Sequence, residues 1–116
     1  MVELVDYKEM WPADFRQIGT SLRNTLDSMA IRIDHIGSTS VPGLRAKDVL
    51  DIQVTVEAIE RVVEARVLAA GFRQPPGVWR DHRPPDAVGP DDDWRKLFFH
   101  EPLGGRRINL HVRELG

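Results

Sequence analysis

Leu50, Ile52, Val54 and Val56 alternate without a break with Asp51, Gln53 and Thr55. In an extended chain that period of two puts the four aliphatic side chains on one face and the polar ones on the other. Bare aliphatic surface of that kind has to be covered. The chain is therefore committed to a β-sheet with one buried face and one polar face, and the rest of the sequence must supply a covering layer. Val49 falls on the polar side by the same count.

Two segments carry the period of a covering helix. Over residues 10–29, Trp11, Phe15, Ile18, Leu22, Leu26 and Met29 recur at steps of three and four, which predicts one apolar stripe on a helix. Pro12 suits its first turn, and Gly19 weakens its interior. Over residues 57–70, Ile59, Val62, Val63, Arg66, Val67 and Ala70 recur in the same way, and Gly71 supplies a stop. The remaining runs read as strands. "VELVDY" is a short one. "AIRIDHIG" alternates, with Ile31 and Ile33 set against Arg32 and Asp34. "WRKLFFHE" and "RRINLHVRE" flank "PLGG", a hairpin signal. With Gly104 and Gly105 as the turn residues, Phe99 faces Leu110 and Leu97 faces Val112. Those four and Ile108 then look into the core. Lys96, Phe98 and His100, with Asn109, His111 and Arg113, look away from it. Residues 74–93 carry too much proline and glycine for a helix or a ladder and read as loop. The order β-α-β-β-α-loop-β-β predicts an α+β fold, a mixed β-sheet with helices on one face. With 116 residues it is expected to be one domain, 1–116.

Composition excludes several function classes. The net charge is −2, which argues against broad, sequence-independent binding of nucleic acid, although a local basic groove is compatible with it. There are no cysteines, so thiolate metal sites and disulfides are out. The sequence shows neither a membrane-length apolar run nor a signal peptide, and a cytoplasmic protein without membrane contact is expected.

Chemistry concentrates in "HIGSTSVPGL", residues 35–44, between two of the strands. Gly37 allows close backbone approach, and Ser38, Thr39 and Ser40 add hydroxyls to the N–H groups of a turn. That is a cradle for phosphate oxygens, with Lys47 nearby to neutralise charge. An ordinary turn with local hydroxyl-to-backbone bonds is the alternative. Asp51 follows on the next strand, and a carboxylate beside a phosphate-holding turn is what metal-assisted phosphoryl or nucleotidyl transfer requires. A solvated aspartate, paired with Lys47 or an arginine, is the other reading. His111 shares the polar face with Gln53 and Asp51. His35 precedes the turn and can brace it. His82 and the run Asp91, Asp92 and Asp93 fall in the loop, where a solvated role is expected.

"HIGSTSVPGLRAKDVLDIQV", with "MWPADF" before it and "INLHV" after it, resembles the GrpB family over nearly the whole chain. The resemblance implies a nucleotidyltransferase-like fold. It also implies kinship with domains fused to the C-terminus of some bacterial dephospho-CoA kinases. The broader nucleotidyltransferase pattern is a Gly-Ser turn, two carboxylates one residue apart, and a third acid on a neighbouring strand. Gly37 and Ser38 match the turn and Asp51 the first carboxylate. Gln53 stands in place of the second, and Asn109 or His111 stands near the third. One carboxylate cannot balance two dications, so a single divalent metal, Mg²⁺, Mn²⁺ or Zn²⁺, is expected on Asp51 and His111. The family pattern usually runs on into helical sequence, which this chain does not show after Gly116. An uncovered face, closed by a symmetric homodimer, is expected to follow.

The leading reading is thus a nucleotide- or phosphate-binding domain with divergent nucleotidyl transfer. Asp51 and His111 would be catalytic, and Gly37, Ser38, Thr39, Ser40, Lys47 and Gln53 would bind the ligand. The second is a non-catalytic accessory module that keeps the fold without the full carboxylate set. The third, a metal-dependent hydrolase, needs His35, Asp51, His100 and His111 to converge.

Overall fold

A computed structural model of the chain describes residues 3–75 and 96–115. Most of the proline-rich loop, its His82 and its three aspartates lie outside those residues, as does the start of the "WRKLFFHE" strand. In chain order the elements are β1 (Leu4–Val5), α1 (Met10–Leu26), β2 (Ala30–Ile36), β3 (Ala46–Lys47), β4 (Leu50–Val56), α2 (Arg61–Ala69), β5 (Lys96–His100) and β6 (Ile108–Glu114). Short 3-10 turns, Asp27–Met29 and Ser38–Ser40, precede and follow β2. The main sheet runs β2-β4-β6-β5, with β4 and β6 parallel and the outer pairs antiparallel.

The alternation of β4 holds from Leu50 to Val54, and Thr55 on the polar side is buried as well. Leu50, Ile52, Val54 and Val56 are buried together with Leu97, Phe99, Ile108, Leu110 and Val112. Trp11, Leu22 and Leu26 of α1 and Val63 and Val67 of α2 join the same core, so both helices cover one face. The other face keeps Asp51, Gln53, Asn109 and His111 half-buried.

Several local expectations are corrected. Ile31 does not share a face with Ile33. The pairing slips between Ala30 and Arg32, and this β-bulge leaves Ile31 42% exposed while Ile33 and His35 turn toward the core side. Helix α2 starts at Arg61, four residues later than its period suggested, because the Ile59 N–H donates to Glu114 Oε1 at 2.8 Å instead of entering a helix. The hairpin keeps the expected register, Phe99 with Leu110 and Leu97 with Val112, but its connection is wider than two glycines. Pro102 has no N–H for the ladder, and the chain turns over Pro102 and Gly105, whose N–H reaches the Pro102 carbonyl at 2.8 Å.

A small second sheet pairs Leu4 with Lys47 and Val5 with Ala46, which no periodicity announced. Asp48, just beyond it, is the knot that holds this end of the molecule. It accepts hydrogen bonds from Trp11 Nε1 (2.8 Å), Lys8 Nζ (3.0 Å) and Arg106 Nη2 (2.6 Å). Arg106 also reaches Asp14 at 3.2 Å. The start of α1, the entry to β4 and the entry to β6 are thereby tied at one point. Burial pushes the Asp48 carboxyl upward, but the Trp11 and Lys8 hydrogen bonds and the Arg106 charge outweigh it and hold the group below its usual range.

Candidate functional site

Gly37 carries the chain out of β2 at φ 74°, ψ −169°, a region open essentially to glycine alone. A Cβ there would lie 2.6 Å from Asp51 Oδ2. The glycine therefore lets the turn and the β4 carboxylate touch. Beyond it, Ser40 N–H bonds the Gly37 carbonyl (3.1 Å) and Val41 N–H the Ser38 carbonyl (3.2 Å), closing the short 3-10 turn.

The three hydroxyls separate. Thr39 is buried, and its Oγ1 shares a 2.9 Å hydrogen bond with His35 Nε2. Ser40 Oγ donates back to the Gly37 carbonyl at 2.5 Å, the local bond of an ordinary turn. Ser38 faces the cleft described below. His35 braces the turn from the helix side: its backbone pairs with Ile52, and its ring stacks on Phe15 with centroids 4.9 Å apart. Burial lowers the His35 pKa, with the Asp51 charge pulling the other way.

The parallel register sets the floor of the site. Asp51 lies beside Asn109 and Gln53 beside His111. Asn109 Nδ2 donates to Asp51 Oδ1 at 3.1 Å, and His111 Nε2 stands 3.8 Å from the same oxygen. Lys96 Nζ stands 3.4 Å from His111 Nδ1, and the Nε2 side of the ring turns to Asp51. Phe98 meets His111 and His100 edge-on, each with ring centroids 5.1 Å apart.

A cleft of about 680 Å³ opens between this floor, the 38–40 turn and the β1–β3 pair. It gathers Ser38, Thr39, Lys47, Asp51 and Asn109 from positions distant in the chain. Gly37, Ser40, Gln53 and His111 adjoin it without lining it. Four charged lining residues lay outside the sequence-based candidates: Arg45, Arg73, Glu101 and Arg107. Arg107 could have been found, since it continues the polar parity of Asn109, His111 and Arg113 by one step. Arg45 likewise shares the parity of Lys47. Arg73 had no local signal. A two-way backbone bridge to His100 after α2 puts it there, with N···O distances of 3.0 and 2.6 Å. Glu101 is doubly engaged, accepting the Ile108 N–H at 3.0 Å and Arg73 Nη2 at 3.2 Å. Burial raises its pKa, but these bonds and the Arg73 charge bring it below the ordinary value.

With this geometry in view, comparison with known proteins is decisive about kinship. The family model described as GrpB protein matches residues 1–116. The chain belongs to the GrpB family. It is 37% identical to a protein of Mycobacterium tuberculosis named dephospho-CoA kinase, over 97% of this chain and 31% of that protein. It is 34% identical to a UPF0157 protein of Halalkalibacterium halodurans, over 99% of this chain and 53% of that one. The chain thus spans about a third to a half of the length of these relatives. The crystal structure of GrpB from Enterococcus faecalis superposes with a TM-score of 0.71 at 24% identity, covering 97% of this chain and 61% of the other. That likeness establishes the shared fold.

Asp51 and His111 are the side chains of this GrpB-family site that could hold a metal ion, and they are too few for two. Asp51 Oδ1 and His111 Nε2 are 3.8 Å apart, within the roughly 4.2 Å that two bonds of about 2.1 Å to a common ion can span. Among the described residues, no group of three or more His, Asp or Glu side chains gathers in a ligand arrangement. His35 lies on the helix side, away from His100 and His111, so the convergence required by a histidine-rich hydrolase does not form. Among the described residues no helix is long and apolar enough to cross a membrane.

Proposed function

We propose that this protein binds a nucleotide or another phosphorylated small molecule in the cleft between the Gly37 turn and the β4–β6 floor. One observation carries the reading. Ser38, Lys47 and Asp51 share a cleft lined by the cations Arg45, Lys47, Arg73 and Arg107 against the carboxylates Asp51 and Glu101. In a chain of net charge −2, that local surplus favours an anionic ligand. Similarity to proteins named dephospho-CoA kinase supports a nucleotide-related role. The Ser38 hydroxyl and the Lys47 ammonium would donate to phosphoryl oxygens. Asp51 and His111 would hold one Mg²⁺, Mn²⁺ or Zn²⁺, which when bound polarises a phosphoryl oxygen. Asp51 would also orient the ligand, and divergent nucleotidyl transfer is the reaction this arrangement suits. A cytoplasmic setting goes with such ligands and with a cysteine-free chain.

Calorimetric titration with nucleoside triphosphates in the presence of Mg²⁺ or Mn²⁺ tests the reading. Heat release and a raised melting temperature at millimolar ligand are expected; silence in both overturns it.

A second reading, a non-catalytic binding module, is favoured by two observations. Gln53 offers an amide where a two-metal site would need a carboxylate, and Asp51 Oδ1 already accepts from Asn109. The Asp51→Asn variant separates the two. Turnover abolished in that variant supports catalysis through Asp51. Ligand binding without turnover in the parent protein supports the module. A homodimer remains part of the proposal. Ile31, Val62 and Leu68 are each more than 40% exposed, and sedimentation at micromolar concentration should give twice the chain mass.

A further inference from the structure

The cleft holds positive charge that the fold does not use. Arg73 is matched by Glu101 at 3.2 Å, and Arg45 reaches Asp6 at 3.3 Å in an exposed pair. Lys47 and Arg107 have no hydrogen-bonding or ion-pair partner for their side chains among the described residues, and both are exposed. They arrive at the same place from different parts of the chain. Lys47 ends β3, and Arg107 immediately precedes β6. The Arg107 carbonyl accepts the Leu50 N–H at 3.1 Å, only three residues beyond Lys47, so the two residues flank the adjacent starts of β4 and β6. Keeping two like charges at one rim is unfavourable without a counter-charge, and among the described residues no carboxylate pairs with either side chain.

Resting on the reading that the cleft takes an anionic ligand, we infer that Lys47 and Arg107 form a two-point clamp for a diphosphate group. The ligand class is then a diphosphate ester and not a monophosphate. A monophosphate puts its charge on one tetrahedral group, whereas a diphosphate spreads more charge over two linked groups, which suits cations that reach in from two different strands. A diphosphate offers oxygens to both, the guanidinium taking two in its fork and the ammonium taking another as a point charge. The cleft, about 680 Å³, has room beyond the phosphates for the organic part of such an ester. Arg107 is the specificity residue in this scheme, since it takes the second phosphoryl group while Ser38 and Lys47 hold the first.

Titration of the full chain with inorganic phosphate and with pyrophosphate, at matched ionic strength and without metal, decides the matter. Pyrophosphate is expected to bind at least about tenfold more tightly than phosphate, the effect of one added charge-assisted contact. Arg107→Gln and Lys47→Gln should each reduce that preference to about threefold or less. Arg107→Lys should keep part of it, and Arg61→Gln on α2 should keep all of it. Melting curves of the variants should match the parent, because neither side chain supports the fold. Equal affinity for the two anions in the parent, or a preference that survives Arg107→Gln, overturns the clamp while leaving an anion-binding cleft. Absence of binding by either anion removes both the clamp and the reading beneath it.

Discussion

Gly37 and Asp51 constrain one another. The glycine sits at φ 74°, and the carboxylate occupies the space its side chain would need. Gly37→Ala should destabilise the fold by about 1–3 kcal/mol, from the forbidden backbone region and the 2.6 Å clash together, and should weaken any ligand that uses Asp51. A denaturant midpoint and a ligand titration on the same variant measure both effects. His35 is the other residue with a reading of its own. Its pKa is lowered in the folded protein, so the unfolded chain takes up a proton first as pH falls. The stability it contributes is complete above about pH 6.5 and is lost below that, through the lower folded pKa. The melting temperature of the parent should therefore fall below about pH 6.5 more steeply than that of His35→Gln. The lowered carboxyls of Asp48 and Glu101 add their own loss only on further acidification, through the carboxylate range. Equal slopes for parent and variant would exclude His35 as the source.

Among the elements, α1, β4 and β6 converge on Asp48 through Trp11, Lys8 and Arg106. Asp48→Ala leaves the indole N–H of buried Trp11 without its acceptor and should cost about 1–3 kcal/mol, seen as a lower denaturant midpoint at unchanged slope. Helix α1 also offers a gain. A methyl at Gly19 would meet Ile33 and Phe15 at 3.8 Å, ordinary contact, so Gly19→Ala should stabilise by up to about 1 kcal/mol. The strands and helices themselves were legible in the sequence because each carries a clean period. What period could not show was where an outside partner intervenes: Glu114 taking the Ile59 N–H ahead of α2, the bulge at Ile31, or the Leu4–Lys47 pairing. Each depends on a residue far away in the chain.

Over the whole molecule, charge is segregated: the chain is net acidic, yet the cleft beside Ser38 and Asp51 is lined by more cations than carboxylates. Binding of pyrophosphate should therefore weaken markedly as salt is raised from about 50 to 300 mM, while the melting temperature of the free protein changes little; calorimetry and melting curves on the same samples check this. The split between sequence and structure follows the range of the forces. By itself the sequence determined the one-sided sheet, its helical cover, the polar face with Asp51 and His111, and the special turn at Gly37, because these follow from periodicity and local backbone sterics. Tertiary structure alone decided that Thr39 is consumed by His35, that Ser38 opens onto the cleft, and that Arg73 joins Lys47 there. A cleft is made by which strands lie side by side, and that adjacency is a property of the packed chain and not of any one segment.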